Sequence, residues 1–536
     1  MTHSYDYILV GGGTAACVAA WKLTTERKAK VLLIERGPRR PSLMRQFLLS
    51  MPAAWMMAIR GNPVVEMHTP VPQHHLNGRS PAVGQANVLG GGTSVNAMVY
   101  TRGQREDYDH WDAFLGNTAL WSSDTLLKHF KALEDNQRFN NKWHGILGPQ
   151  PVSDTGTTCQ ITEDFIRAVQ GLGIPYTPDF NGEAQYGVGT MQYTTFKKRR
   201  YNGVEAFLNP AEATGRLTIV TDATVAKLNF NGTICEGVTY LHQGMEHKVS
   251  CNHEVILAAG SFNTPKIMML SGLGPADHLK KIGITPKLDV QGVGQNLQDH
   301  HEVPVVAATN GHYGYFHEDR GMRAIKNGLQ YLLYKTGPVT SNGVEACAYF
   351  DPEGGSRPTI KMYCVPSVYL DSDNADVPDQ DGVTLNACLL RPKSRGTVQL
   401  RSTNPYDSPV IDNHYLSEPD DLRLEILGLR YARDILASQP LSSRVKHELI
   451  PGKDVTSDSD LATHCRRTVK TNWHPVGTCR MGPDNDPLAV VDTQLRVNGI
   501  GGLRILDASV MPFIPSGNTN APTMAVASRG VDFIPA

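Results

Sequence analysis

Two kinds of residue in this 536-residue chain are spaced for chemistry: small residues that let backbone approach a phosphate, and a histidine able to move a proton. Gly11, Gly13 and Ala16 fill the three small positions of G-x-G-x-x-G/A. Between a strand and a helix, such a turn offers backbone N–H groups and a helix dipole to a pyrophosphate. Glu35 stands where a carboxylate can accept hydrogen bonds from ribose hydroxyls, an arrangement that favours FAD or NAD over NADP. Ala16 in place of a third glycine bears on helix packing more than on phosphate approach. His474 lies between Trp473 and Pro475. Histidine is the natural base for a hydroxyl proton near neutral pH, although on spacing alone a histidine beside a tryptophan is more often a satisfied core residue.

The elements that must position these groups follow from hydrophobic period. Apolar residues 7–10, the glycine turn, a helical stretch through Leu23 and apolar residues 31–34 form one β-turn-α-β unit, which predicts a parallel sheet. Residues 217–258 alternate around the Asn231-Gly232 turn and predict a small antiparallel sheet returning to the core. Apolar residues 255–259 run into Gly260-Ser261 with Pro265 just beyond, a second strand-to-helix turn suited to phosphate or ring contacts, or to plain packing. Gly90, Gly91 and Gly92 followed by Thr93, Ser94 and Asn96 give a chain without bulk, against which a flat ring or pyrophosphate could lie; a tight surface loop is the other reading. Residues 422–437 have helical spacing, and residues 351–378 are rich in Pro, Asp, Gly and Ser and read as loop.

Composition removes several classes of function. A net charge of −1 gives no field for nucleic acid or acidic membranes. Nine cysteines without C-x-x-C argue against a disulfide framework or zinc ribbon and for a reducing compartment. The strand begins too early for an export signal, so a cytoplasmic location is expected. The most apolar run, residues 47–59, is too short to span a bilayer and reads as a buried helix or cleft wall, or as an apolar lid. Four His-Glu pairs lack the second histidine of H-E-x-x-H, His74-His75 and His300-His301 read as surface or supporting residues, and no G-x-S-x-G occurs. No metal is expected.

Taken together, the motifs resemble those of the glucose-methanol-choline (GMC) oxidoreductases, FAD-dependent alcohol oxidases and dehydrogenases. The likeness runs through essentially the whole chain. It includes residues 7–13 with Glu35, LGGGTSVNAMVYTRG at 89–103, GSFNTPKIMMLSGLGP at 260–275 and VGQNLQDH at 293–300. NWHPVGTCRMG at 472–482 and LRILDASVMPFIPSGNTNAPTMAVA at 503–527 are its most specific parts. The resemblance implies an α/β fold, α+β overall: a Rossmann-like FAD-binding domain (residues 1–155, 205–300 and 462–536) interleaved with a substrate-binding domain containing an antiparallel sheet (156–204 and 301–461).

The same resemblance implies cofactor contacts at Gly11, Gly13, Thr14, Ala15 and Glu35, and a flavin-covering loop through Leu89, Gly91, Gly92, Thr93, Asn96, Ala97 and Val99. It adds an adenine contact at Val225 and further contacts at Gly260, Trp473, Asp507, Ala508, Asn520 and Thr523. His474 becomes the catalytic base. Asn520 matches the position of a second histidine or an asparagine that binds the substrate oxygen, with Asn518 as its competitor. Where some members carry a flavin-linking histidine, Val95 stands here, so FAD is expected to be non-covalent. The implied reaction turns a neutral primary alcohol (aryl, furanic or aliphatic) into an aldehyde by hydride transfer to flavin N5, with O2 or a quinone-like acceptor reoxidising the flavin. A hydroxynitrile lyase-type member using the same histidine is the alternative. The implied partners are small molecules, without nucleic acid or a transmembrane segment; a homo-oligomer is left open.

Overall fold

The computed structural model describes residues 5–59, 64–370 and 378–535. Two large sheets organise them. In the first, the strands run in the order Leu217–Val220, Val31–Ile34, Tyr5–Val10, Met245–Leu257, Ile234–His242, Ala223–Asn231, and Leu503–Ile505 adds to Met245–Leu257. The strands around Tyr5–Val10 are parallel, as the β-turn-α-β unit predicts. Ile8, Leu9 and Leu33 are fully buried, consistent with strands covered on both faces, and each contributes about 1.5–3 kcal/mol by leaving water.

The expected antiparallel sheet is present only in part. Ala223–Asn231, Ile234–His242 and the first half of Met245–Leu257 pair antiparallel, whereas Leu217–Val220 pairs parallel with Val31–Ile34. A four-residue apolar run carries no direction, so its partner decides. Met245–Leu257 is long enough to join both regimes: its start belongs to the antiparallel ribbon and its end pairs parallel with Tyr5–Val10.

The second sheet is antiparallel throughout, in the order Val445–Ile450, His301–Thr309, Gly382–Leu389, Ile360–Val365, Ala346–Phe350, Gly187–Thr190. Lys470–Thr471 joins it beside His301, although it comes from the carboxyl-terminal segment expected in the first unit. Helices Gln160–Gly171 and Pro419–Ala437 bury one face of this sheet; the latter covers the helical spacing at 422–437. The loop expected at 351–378 is corrected at Ile360–Val365, a strand whose partners on both edges outweigh the flanking turn residues; residues 371–377 lie outside the described residues.

All nine cysteines are free. Among the described residues, no helix is long and apolar enough to cross a membrane, and no group of three His, Cys, Asp or Glu side chains could hold a metal ion. The apolar run 47–59 forms short helices, Leu43–Ser50 and Trp55–Ile59; Leu48, Trp55 and Met56 from them and Met51 between them line a cavity between the two sheets. The cleft-wall reading therefore holds for this segment.

Candidate active site

The cavity has a volume of about 980 Å³, at the upper end of the range for small-molecule and cofactor pockets. One end is built from the first sheet. Three helices begin there: Thr14–Thr25, Gly260–Leu270 and Asn520–Asp532. The first turns of Thr14–Thr25 and Asn520–Asp532 present N–H groups and dipoles that favour an anion, whereas Gly260 N already donates to Asp507 Oδ2 at 2.8 Å. The first and last of these helices pack against each other, with Ala15, Ala16, Ala19, Ala521 and Ala525 among their buried residues, and Thr14 Oγ1 donates to Asn520 Oδ1 at 3.1 Å.

The glycines at this end leave little choice of residue. A Cβ on Gly91, at φ +53°, would fall 2.4 Å from the Gly13 Cα, so two bare backbones touch and form a groove. A Cβ on Gly12 would meet Leu89 Cδ1 at 2.8 Å. Gly12 N donates to Glu35 Oε2 at 2.6 Å and Gly37 N to Oε1 at 2.7 Å, which ties the turn to the end of the next strand. Burial pushes the Glu35 carboxyl above its usual range, and each oxygen keeps a lone pair for another donor. Asn520 Nδ2 is buried and meets no acceptor among the described residues. Anion-facing helix starts, a backbone groove, an acid at the ribose position and an orphaned amide N–H fit a dinucleotide.

Gly11, Gly13, Thr14, Ala15, Glu35, Gly91, Gly92, Asn96, Ala97, Val99, Val225, Gly260, Trp473, Asp507, Ala508, Asn520 and Thr523 all line this cavity. Leu89 and Thr93 do not: Leu89 backs Gly12, and Thr93 Oγ1 accepts from Gly203 N at 2.8 Å. The Asp507 carboxylate is occupied, accepting from Gly260 N, Thr264 Oγ1, Ser509 N and Ser509 Oγ, and so ties two turns together. Arg200 escaped sequence reasoning. Its guanidinium donates to Thr93 O, Asn96 O, Asn96 Oδ1 and Leu49 O and fixes the loop at 93–96.

The other end of the cavity lies against the second sheet and holds His474. Trp473 adopts φ +62°, a strained conformation for a large side chain. The strain is held by Trp473 N donating to Thr471 Oγ1 at 2.7 Å, His474 N to Asp299 Oδ1 at 2.8 Å and Asn472 N to His300 O at 2.8 Å. Asp299 also accepts from Tyr415 OH and Thr471 Oγ1, both at 2.5 Å, and burial pushes its carboxyl up to about 6.

Four side chains and one carbonyl then form a hydrogen-bonded line whose proton positions are determined by its ends. Leu390 O can only accept, so His300 Nε2, 3.0 Å away, carries a proton. His300 Nδ1 therefore has the lone pair and accepts from His474 Nδ1, also at 3.0 Å. At the far end, the Lys361 ammonium can only donate and gives a hydrogen bond to Asn518 Oδ1 at 3.0 Å. The Asn518 amide must then turn its NH2 toward His474 Nε2, which accepts at 2.9 Å. His474, which lines the cavity, is thus neutral, protonated at Nδ1, with its Nε2 lone pair toward Asn518. Burial, the neighbouring His300 and the Lys361 charge all hold its pKa well below the usual value, and burial takes His300 down to about 3.

Asn518, and not Asn520, is the amide against the imidazole; Asn520 begins the helix and turns to Thr14. His300 and His301, expected as surface or supporting residues, are both buried, and His301 pairs with Glu425 at 2.8 Å. Glu302, Tyr363, Lys470 and Asn472 are among the other polar residues that line the cavity. Glu302 accepts from the Tyr363 hydroxyl and from Asn472 Nδ2 and pairs with Lys470 at 3.1 Å.

A dinucleotide cradle at one end and a neutral, oriented imidazole at the other define a dinucleotide-dependent enzyme with a base at its reacting end. Comparison with known proteins gives the particular family. The GMC oxidoreductase model matches residues 5–302 with its amino-terminal part and 392–527 with its carboxyl-terminal part, and the chain belongs to this family. It is 37% identical to an alcohol dehydrogenase (acceptor) of Pseudomonas putida over 99% of this chain and 95% of that protein. It is 35% identical to human mitochondrial choline dehydrogenase over 99% of this chain and 89% of that protein. Among solved structures, pyridoxine 4-oxidase from Mesorbium loti superposes with a TM-score of 0.89 at 27% identity, covering 99% of each chain. A formate oxidase superposes with a TM-score of 0.89 at 25% identity, covering 100% of this chain and 98% of that one.

Proposed function

We propose that the enzyme oxidises a primary alcohol to an aldehyde, with His474 Nε2 as the base and Asn518 as the partner of the substrate oxygen. The observation that carries this reading is the line Leu390–His300–His474–Asn518–Lys361, which leaves Nε2 unprotonated and an amide N–H beside it. An alcohol oxygen that displaces the Asn518 N–H from Nε2 gives its proton to Nε2 and accepts from Asn518 Nδ2. The imidazolium that results keeps its Nδ1 proton on His300 Nδ1, whose acceptor role is already set. When bound, FAD supplies the acceptor for the hydride that leaves the carbinol carbon. The chain's own part is to hold the oxygen, take its proton and, through Leu48, Met51, Trp55 and Met56, exclude water from the chamber.

Gly11, Gly13, Thr14, Gly91, Glu35 and Asn520 are assigned to holding FAD by backbone N–H groups, the acid and the free amide N–H. Val95 ends the short helix Gly92–Val95 without a nucleophilic side chain, in keeping with non-covalent FAD. Acid precipitation of the purified holoenzyme is expected to leave a yellow supernatant and a colourless pellet; a yellow pellet contradicts this. The reaction itself is tested with a panel of aryl, furanic and aliphatic primary alcohols under anaerobic conditions. Loss of the visible flavin absorption with aldehyde formation is expected. A flavin that stays oxidised while cyanohydrins are cleaved would favour the lyase-type alternative instead. Admitting O2, or a quinone without O2, then identifies the acceptor.

A further inference from the structure

Lys361 has a position that proton transfer from the alcohol does not explain. The strand Ile360–Val365 alternates: Ile360, Met362 and Cys364 enter the core behind the sheet, while Lys361, Tyr363 and Val365 line the cavity. Lys361 is 5% exposed, and its ammonium donates to Asn518 Oδ1. Among the described residues no carboxylate pairs with it, in contrast to Lys470, which pairs with Glu302 in the same chamber. The rings of Tyr349 and Tyr363, with centroids 5.8 and 5.7 Å from Nζ, offer only weak compensation. An ammonium held out of water without a counter-charge is costly, and two of its three donors are not used by the protein.

A purely catalytic role for that charge does not account for it. Proton transfer from the alcohol to His474 creates an oxyanion and an imidazolium side by side, both on the same side of the Asn518 amide from Lys361. Coulomb energy falls as 1/r, so attraction to one and repulsion from the other are similar in size and opposite in sign. A permanent anion on the substrate gains the full attraction without that offset. Trp55, Val344, Tyr363 and Val365 supply the aromatic and apolar wall for the rest of such a molecule.

Resting on the alcohol-oxidation reading above, we propose that Lys361 is an anion-binding subsite and that the substrate is a primary alcohol bearing a carboxylate close to its carbinol. This replaces the neutral alcohol expected from the sequence, in which Lys361 is one polar residue in the apolar run IKMYCV.

The test compares 3-(hydroxymethyl)benzoate and 3-hydroxypropanoate with their methyl esters on the holoenzyme, reading kcat/KM from flavin reduction. A buried hydrogen bond to a charged group predicts acid-over-ester preference of about 30-fold in the wild type. The ratio is expected to approach one in Lys361→Met and to return in Lys361→Arg. Because loss of the Asn518 contact affects both substrates, only the ratio reports the charge. Benzoate binding, read from the shift of the flavin spectrum with benzamide as control, gives a second measurement that needs no turnover. Ester preference in the wild type, or a ratio unchanged by Lys361→Met, overturns the subsite; if that variant fails to fold, the wild-type ratio and the benzoate control decide. Should neutral alcohols bleach the flavin while the acid shows no preference, the subsite falls and alcohol oxidation stands. Should benzoate bind through Lys361 while no alcohol is oxidised, the subsite stands and alcohol oxidation falls.

Discussion

Replacing His300 by phenylalanine should slow flavin reduction by removing the acceptor behind the base while leaving the flavin cradle in place. In the wild type, His300 Nδ1 accepts from His474 Nδ1 at 3.0 Å, both rings being buried. When His474 takes the alcohol proton, this becomes a hydrogen bond from a cation to a neutral acceptor, worth about 1.5–3 kcal/mol. Phenylalanine has no acceptor, and because the resting enzyme also loses its neutral hydrogen bond, worth about 0.5–1.5 kcal/mol, the developing charge loses only the difference, about 1–1.5 kcal/mol. At about 1.36 kcal/mol per decade, kcat/KM should fall roughly 5- to 13-fold. His300→Asn provides a control, because its Oδ1 can accept from Nδ1 although it too loses the contact with Leu390 O. Stopped-flow flavin reduction by a neutral alcohol measures the rates, and thermal unfolding measures how much each change disturbs the fold. The reasoning fails if His300→Phe stays within threefold of wild type, or if His300→Asn falls as far as His300→Phe at equal stability.

Asn518→Ala should lower kcat by about 10²–10³, the usual consequence of removing one donor from a developing oxyanion, while Asn520→Ala should weaken FAD retention on dilution more than turnover of the loaded enzyme; steady-state kinetics and flavin content separate the two. Gly91→Ala places a Cβ 2.4 Å from the Gly13 Cα at a positive φ, so purified protein should carry little FAD, measured as the ratio of visible to protein absorbance. Because burial, His300 and Lys361 depress the His474 pKa, its unprotonated, active form should persist as pH falls through 6.5, and kcat/KM for a neutral alcohol should decline only well below that value. An acidic limb with an apparent pKa at or above 6.5 contradicts this.

The β-turn-α-β unit is legible because each part constrains the next: an apolar strand, a turn whose Gly11 leaves no room for a Cβ, and an acid whose two oxygens return to Gly12 and Gly37. Other features depend on contacts that local pattern does not carry. His300 and His474 are 174 positions apart, and nothing near His300 indicates that its ring accepts a proton from another imidazole. Asn518 and Asn520 are separated by a helix boundary: the helix starts at Asn520, which turns toward Thr14, and leaves Asn518 in the preceding loop facing His474. Leu217–Val220 was assigned to an antiparallel sheet because alternation gives a strand but not its direction, and Ile360–Val365 was obscured by flanking turn residues although its alternation places Lys361 in the chamber.

The most direct measurement is anaerobic flavin reduction in His474→Ala, loaded with FAD to the same level as wild type. If the imidazole removes the hydroxyl proton, alcohol should still bind, but the reduction rate should fall by about 10²–10⁴, the range supplied by a positioned general base. A variant that bleaches its flavin as fast as the wild type would contradict that assignment.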